Sequence, residues 1–182
     1  MTHTIYIVLT ETGTLLSKAI GMYTGKEMNH ASISFDAELT EMFSFGRRQL
    51  HNPLSGGFLQ ENAESGLFEL ADCAIYRCSV SHHQYIQMKQ IIRYMYWNRE
   101  RYRYNFLGLF GVMMQKELRR ERAFFCSQFV ATMLKVGGLP INQNPALMTP
   151  HCIAQLPYLD CVFEGKLADY LQTAKEPAML YG

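Results

Sequence analysis

The chain has almost no net charge to spend on a partner. Its 182 residues hold 17 Lys and Arg against 16 Asp and Glu, a formal charge of +1. That removes any global electrostatic reason to expect nucleic acid or an acidic membrane surface. No window reaches about 18 uninterrupted apolar residues, so no transmembrane helix is expected. The opening residues Met1-Thr2-His3-Thr4 lack a basic stretch and a cleavage site. No signal peptide is therefore read, and a cytoplasmic location is the expectation. The five cysteines are odd in number and irregular in spacing. That fits free thiols in a reducing compartment better than a disulfide framework. Internal repeats, low-complexity tracts and obvious linkers are also absent, which leaves a single domain over residues 1–182.

What is present suits a packed core: 48% of the residues are hydrophobic and 18% charged. Residues 4–10 form an apolar, β-branched run expected to be a buried strand. Residues 14–22 space Leu15, Ala19, Ile20 and Met22 like one helical face, closed by Gly25. Residues 30–35 and 39–45 read as two strands around a turn near Asp36-Ala37-Glu38, and residues 73–80 as another. Ser81 looks like a helix cap with Gln84 at the capping-box position, before Met88, Ile91, Ile92 and Met95 on one face. Residues 105–116 and 126–136 read as helices, the latter ended by Gly137-Gly138 and Pro140. Thr149-Pro150 starts a short one, and residues 159–163 form a last strand. Residues 46–66 crowd Asn52-Pro53, Ser55-Gly56-Gly57 and Ser65-Gly66, and read as a long loop leaving the core. Strands gather early and helices late, so the expected class is α+β, an antiparallel sheet packed against helices.

The most telling stretch is Phe124-Phe125-Cys126-Ser127-Gln128-Phe129-Val130, a cysteine where an apolar helix begins. Unpaired backbone N–H groups and the positive end of the helix dipole favour thiolate there. Thiolate is the species that attacks carbonyl carbon. The bland reading is a buried structural cysteine. The other thiols are weaker candidates. Cys73 and Cys78 lie five apart on a strand, point to opposite faces and cannot share a metal. Cys161 is expected in the core. Cys152 follows His151, but neighbours on a helix do not face each other.

A base is offered by His30. In His-Ala-Ser-Ile-Ser-Phe, His30, Ser32 and Ser34 share one strand face, while Ala31, Ile33 and Phe35 share the other. The next strand offers Glu41 to accept the imidazole N–H and fix its tautomer. A two-residue turn at Ala37-Glu38 would set Glu41 opposite Ser34 rather than His30, so a bulge or another turn is needed. Ser44, Asp36 or a distant residue could hold the role instead.

Four stretches, in order, resemble one family. They are residues 17–25 followed by Asn29-His30-Ala31-Ser32-Ile33; Leu39-Thr40-Glu41-Met42; Tyr104-Asn105-Phe106-Leu107-Gly108 before Phe125-Cys126-Ser127-Gln128-Phe129-Val130; and Thr149-Pro150-His151 with Phe163-Glu164-Gly165-Lys166-Leu167. They are similar to the circularly permuted papain-like amidases of the YiiX type, relatives of lecithin retinol acyltransferase and of the NlpC-type peptidases. In that group the histidine strand precedes the cysteine helix. The chain departs from the pattern at Ser32, where the family has glycine, and residues 46–66 match nothing in it. The resemblance implies a cysteine hydrolase acting on an amide or ester, with Cys126 attacking, His30 moving the proton and Glu41 orienting His30. The backbone N–H of Cys126 would be one oxyanion donor, with Tyr6, Tyr104 or Ser32 as further contacts to the oxyanion or substrate. No cofactor or metal is implied. A peptide, an amide or a lipid-acyl compound would be the substrate. Acyl transfer or thioester cleavage on the same triad, and a catalytically inactive binding module, are the alternatives.

Residues 93–104 interleave arginines with Tyr94, Tyr96, Trp97, Tyr102 and Tyr104, residue types that also bind single-stranded nucleic acid. The near-neutral total charge, and a helical phase expected to set Tyr94 and Trp97 beside the core, argue against that. The same stripe would suit acidic ligands such as phospholipid headgroups.

Overall fold

A computed structural model of the chain describes residues 1–11, 28–47, 56–68, 70–105, 107–108, 112, 114, 116–117 and 120–175. The expected helix over 14–22 lies outside these residues, as does half of the one over 105–116.

The β-branched N-terminal run forms β1 (Thr2–Glu11), and β2 (His30–Ser34) and β3 (Met42–Arg47) follow. The expected loop over 46–66 is interrupted by a strand, β4 (Gly56–Glu61). Then come β5 (Asp72–Ser81) and, near the C-terminus, β8 (Asp160–Lys166). The six make one antiparallel sheet in the order β4-β3-β2-β1-β5-β8. A separate parallel pair joins β6 (Arg103–Tyr104) to β7 (Ala123–Phe124). The α+β class is as expected.

Strand alternation divides the core between the two faces of the sheet. On one face Val8, Met42, Cys73 and Ile75 pack with Leu39, Phe68, Leu167 and Leu171. On the other Ile5, Ile7, Leu9, Ile33, Phe43, Phe45 and Phe58 meet two helices. The first is α1 (His82–Trp97), opened by a complete Ser81/Gln84 capping box. The second is α2 (Cys126–Val136). Cys73 and Cys78 belong to the clusters of opposite faces, as their odd spacing requires. A short α3 (Pro150–Ala154) is capped by the Thr149 side chain on the Cys152 N–H. An α4 (Leu167–Lys175) that the sequence reading did not foresee buries Leu167 and Leu171, one turn apart.

Two expectations about burial fail. Tyr94 and Trp97 are 57% and 79% exposed. Met88, Ile92 and Met95 set the buried stripe of α1, and at about 100° per residue Tyr94 and Trp97 fall on the far side of the helix. Cys161 is exposed rather than in the core. It lies on an edge strand, next to the register shift between Ile75 and Tyr76.

Candidate functional site

The site starts from the polar face of β2. Thr10 stands opposite His30, Val8 opposite Ser32 and Tyr6 opposite Ser34, so these side chains share one side of the sheet. Across β3, Met42 stands opposite Ser34, and across β4, Glu61 stands opposite Met42. Glu61 thus projects on the same face as His30. Its Oε1 accepts from His30 Nε2 at 2.8 Å and from the Ser44 hydroxyl at 2.6 Å, and its Oε2 accepts from the Ser32 hydroxyl at 2.5 Å. Ser32 and Ser44 are fully buried, and the Glu61 side chain is 4% exposed.

A carboxylate can only accept, so Nε2 carries the imidazole proton and Nδ1 is left for another partner. Cys126 stands close enough to the His30 ring for each group to shift the other's titration. The parallel β6–β7 pair delivers it: β7 ends at Phe124, Phe125 is the N-cap, and Cys126 is the first residue of α2. Phe125 supplies no side-chain cap, so none occupies the first-turn N–H groups. The Ser127 hydroxyl donates to the Met148 carbonyl at 2.8 Å and fixes the helix start. The Cys126 sulfur lies 4.0 Å from the Asn29 carbonyl, at the entry to β2.

The electrostatics separate Cys126 from the other buried thiols. Burial pushes Cys73 up to about 12 and also raises Cys78. Burial acts the same way on Cys126, but the hydrogen bond and charge of His30, with the N–H groups of Ala31 and Ser127, outweigh it and leave the thiol below its ordinary value. Burial alone would lower His30. The charge and hydrogen bond of Glu61, together with Cys126, instead raise it to about 10. For Glu61, burial raises the carboxyl, and His30, Ser32 and Ser44 bring it below the usual range. The three groups therefore favour thiolate, imidazolium and carboxylate in a row.

Other expected site residues fall elsewhere. Glu41 does not reach His30; its carboxylate takes Lys89 Nζ at 2.5 Å on the opposite side of the sheet. The cause is a one-residue change of register. The hairpin sets Ser34 opposite Met42, not Glu41, and a single-residue slip moves every side chain of a strand to the other face. Asp36 holds that turn by accepting from the Thr40 N–H, the Thr40 hydroxyl and the Glu41 N–H, and Leu39 takes a positive φ of 57°. Ser44, one of the alternatives, does join the site, but as a donor to Glu61. Ser32 is fully buried and likewise donates to Glu61. Tyr6 stands opposite Ser34, four residues along β1 from Thr10 and hence about 13 Å from the His30 end. Tyr104 pairs with Phe124, two residues before Cys126, and lies against Gly56, leaving no room for a Cβ there.

Glu61 was missed because two glycines hide its strand. Phe58-Leu59-Gln60-Glu61 runs apolar, apolar, polar, polar, so no alternation marks the strand either. Among the described residues no group of three or more His, Cys, Asp or Glu is placed to hold a metal ion. No helix among them is long and apolar enough to cross a membrane. The chain matches no protein-family model, no curated protein and no solved structure.

Proposed function

We propose that this protein is a cysteine-dependent acyl hydrolase or acyltransferase with Cys126 as nucleophile, His30 as acid–base and Glu61 as the orienting carboxylate, built on a permuted papain-like plan. One observation carries the reading: His30 is held between a carboxylate and the one buried thiol whose proton is loosened. The chain order His30, Glu61, Cys126 and an antiparallel sheet backed by the cysteine helix support the permuted plan.

In this reading the Cys126 thiolate adds to the carbonyl carbon of an amide, ester or thioester. The oxyanion accepts the Cys126 backbone N–H at the uncapped helix start. Collapse breaks the bond to the leaving group, which takes the proton from His30 Nδ1, and leaves a thioester on Cys126. Water or another acceptor then gives its proton to His30, adds to the thioester carbonyl and releases the acyl product, restoring thiolate and imidazolium. Glu61 keeps its negative charge and holds Nε2 throughout.

The test begins with thiolate absorbance near 240 nm and limiting iodoacetamide alkylation followed across pH, with the modified residue mapped by mass spectrometry. Cys126 is expected to react ahead of Cys152 below the ordinary thiol range, and His30→Ala to remove that preference. A panel of peptide amides, acyl amides, lipid esters and thioesters follows, with Cys126→Ala as the control. An inert Cys126, or one no more reactive than an ordinary thiol, would sink the catalytic reading and leave a binding module.

A further inference from the structure

We propose that the end of the molecule built from the C-terminus of α1, β6 and β7 docks on an anionic phospholipid bilayer. The proposal does not depend on Cys126 being a nucleophile. Although the whole chain is near neutral, residues 93–122 hold eight of its 17 basic residues and three of its 16 acidic ones. Arg93, Arg101, Arg103, Arg120 and Arg122 are all exposed, and none forms an ion pair among the described residues. The backbone ties two of them together: Arg103 N–H, on β6, donates at 2.9 Å to the carbonyl of Arg122, the residue before β7.

Large apolar side chains are exposed in the same part of the chain. Trp97 and Tyr94 end α1 on its exposed side, and Leu107 and Met114 are 54% and 65% exposed. The Gly108 N–H donates to Asn105 Oδ1 at 2.9 Å, which holds the turn carrying Leu107 directly after β6. Between Arg103 and Lys116 the sequence has no charged residue at all. Exposed Trp97, Leu107 and Met114, interspersed in sequence with exposed arginines, match an acyl–headgroup boundary. Aliphatic groups leave water there, and guanidinium groups meet phosphate. Nucleic acid fits less well. Tyr94 and Trp97 expose rings that suit either partner, but Leu107 and Met114 offer no ring to stack on a base, and would remain in water beside a phosphate backbone.

Trp97 is the single tryptophan of the chain and so reports directly on this surface. The full-length protein is mixed with phosphatidylcholine vesicles, with or without phosphatidylglycerol, and followed by co-sedimentation and tryptophan emission. Expected are binding and a blue shift on the mixed vesicles only, both fading as salt rises. The double variant Arg101→Gln/Arg103→Gln should bind roughly thirty-fold more weakly, about five-fold for each arginine. Leu107→Ser should weaken binding without changing its salt dependence, and this arm stands even if the arginine variant melts early. No binding to mixed vesicles at low salt, or equal binding to both compositions, overturns the proposal. So does salt-sensitive binding of a labelled single-stranded oligonucleotide, lost in the double variant, with vesicles ignored.

Discussion

His30 Nε2 lies 2.8 Å from Glu61 Oε1, across 31 positions of sequence, while Glu41, far nearer in the chain, is turned to Lys89. The acid on the histidine is thus chosen by strand pairing, not by proximity in sequence.

Glu61→Gln is expected to lower turnover by about 10²- to 10⁴-fold, the range seen when the carboxylate of a triad is neutralised. It should also return the Cys126 thiol toward its ordinary value. Glu41→Gln should change neither quantity. Paired alkylation–pH profiles of the two variants make the comparison, and equal effects would count against Glu61 as the orienting group.

The same pair fixes a pH window for stability. His30 is raised to about 10 in the folded state, so its contribution is full below the unfolded histidine value of about 6.5 and drains away as pH climbs toward 10. Glu61 is lowered, so its contribution is full above the unfolded value of about 4.3 and is lost as pH falls through the folded value. The Tm advantage of the wild type over Glu61→Gln should therefore peak between about pH 4.3 and 6.5. It should narrow on both sides, as read by thermal unfolding across pH. A gap that stays constant up to pH 10 would contradict the pairing.

Ser44→Ala and Ser32→Ala each remove a buried donor from a carboxylate. Each should cost about 1.5–3 kcal/mol in denaturant unfolding. Each should also raise the Glu61 carboxyl, moving the acid limb of the stability profile to higher pH. A loss within about 0.5 kcal/mol for both would mean that Glu61 is held by something else.

Two glycines near His30 should respond in opposite ways to alanine. A Cβ at Gly56 would come within 2.6 Å of the Tyr104 Cβ, a contact with no flexible side-chain end to give way. Gly56→Ala is expected to destabilise by about 1–3 kcal/mol. At Gly46 the nearest atoms, on Leu59 and the His30 ring, are 3.6 and 3.7 Å away. Gly46→Ala should be tolerated, with its methyl packed on the imidazole. Chemical denaturation of both variants decides the point.

The parts legible in sequence were those written in local pattern. Cys126 stood where an apolar helix began after two phenylalanines, and His30 stood on the polar side of a strict alternation; both placements rest on residues within one or two turns or pleats. The capping box at Ser81 was equally local. Glu61 was hidden because Gly56 and Gly57 read as turn chemistry, and edge pairing with β3 makes a strand of them all the same. Glu41 was misplaced because a single residue in a hairpin loop reverses a whole strand, and loop length is the least readable quantity in a sequence. Cys161 was misplaced because edge and interior strands share a local pattern; the difference lies in the neighbours they find.

The Asp36 carboxylate, gripping Thr40 and Glu41 at once, acts as a length gauge for the hairpin. Shorten that loop by one residue and the period of two does the rest: Glu41, Phe43 and Phe45 would swing to the histidine side, and Met42 and Ser44 would leave it. Among the described residues the loop makes no hydrogen bond to Cys126 or His30. Yet its residue count selects which acid can sit beside His30, so an insertion or deletion there would rewrite the charge relations of the centre without altering one of its side chains.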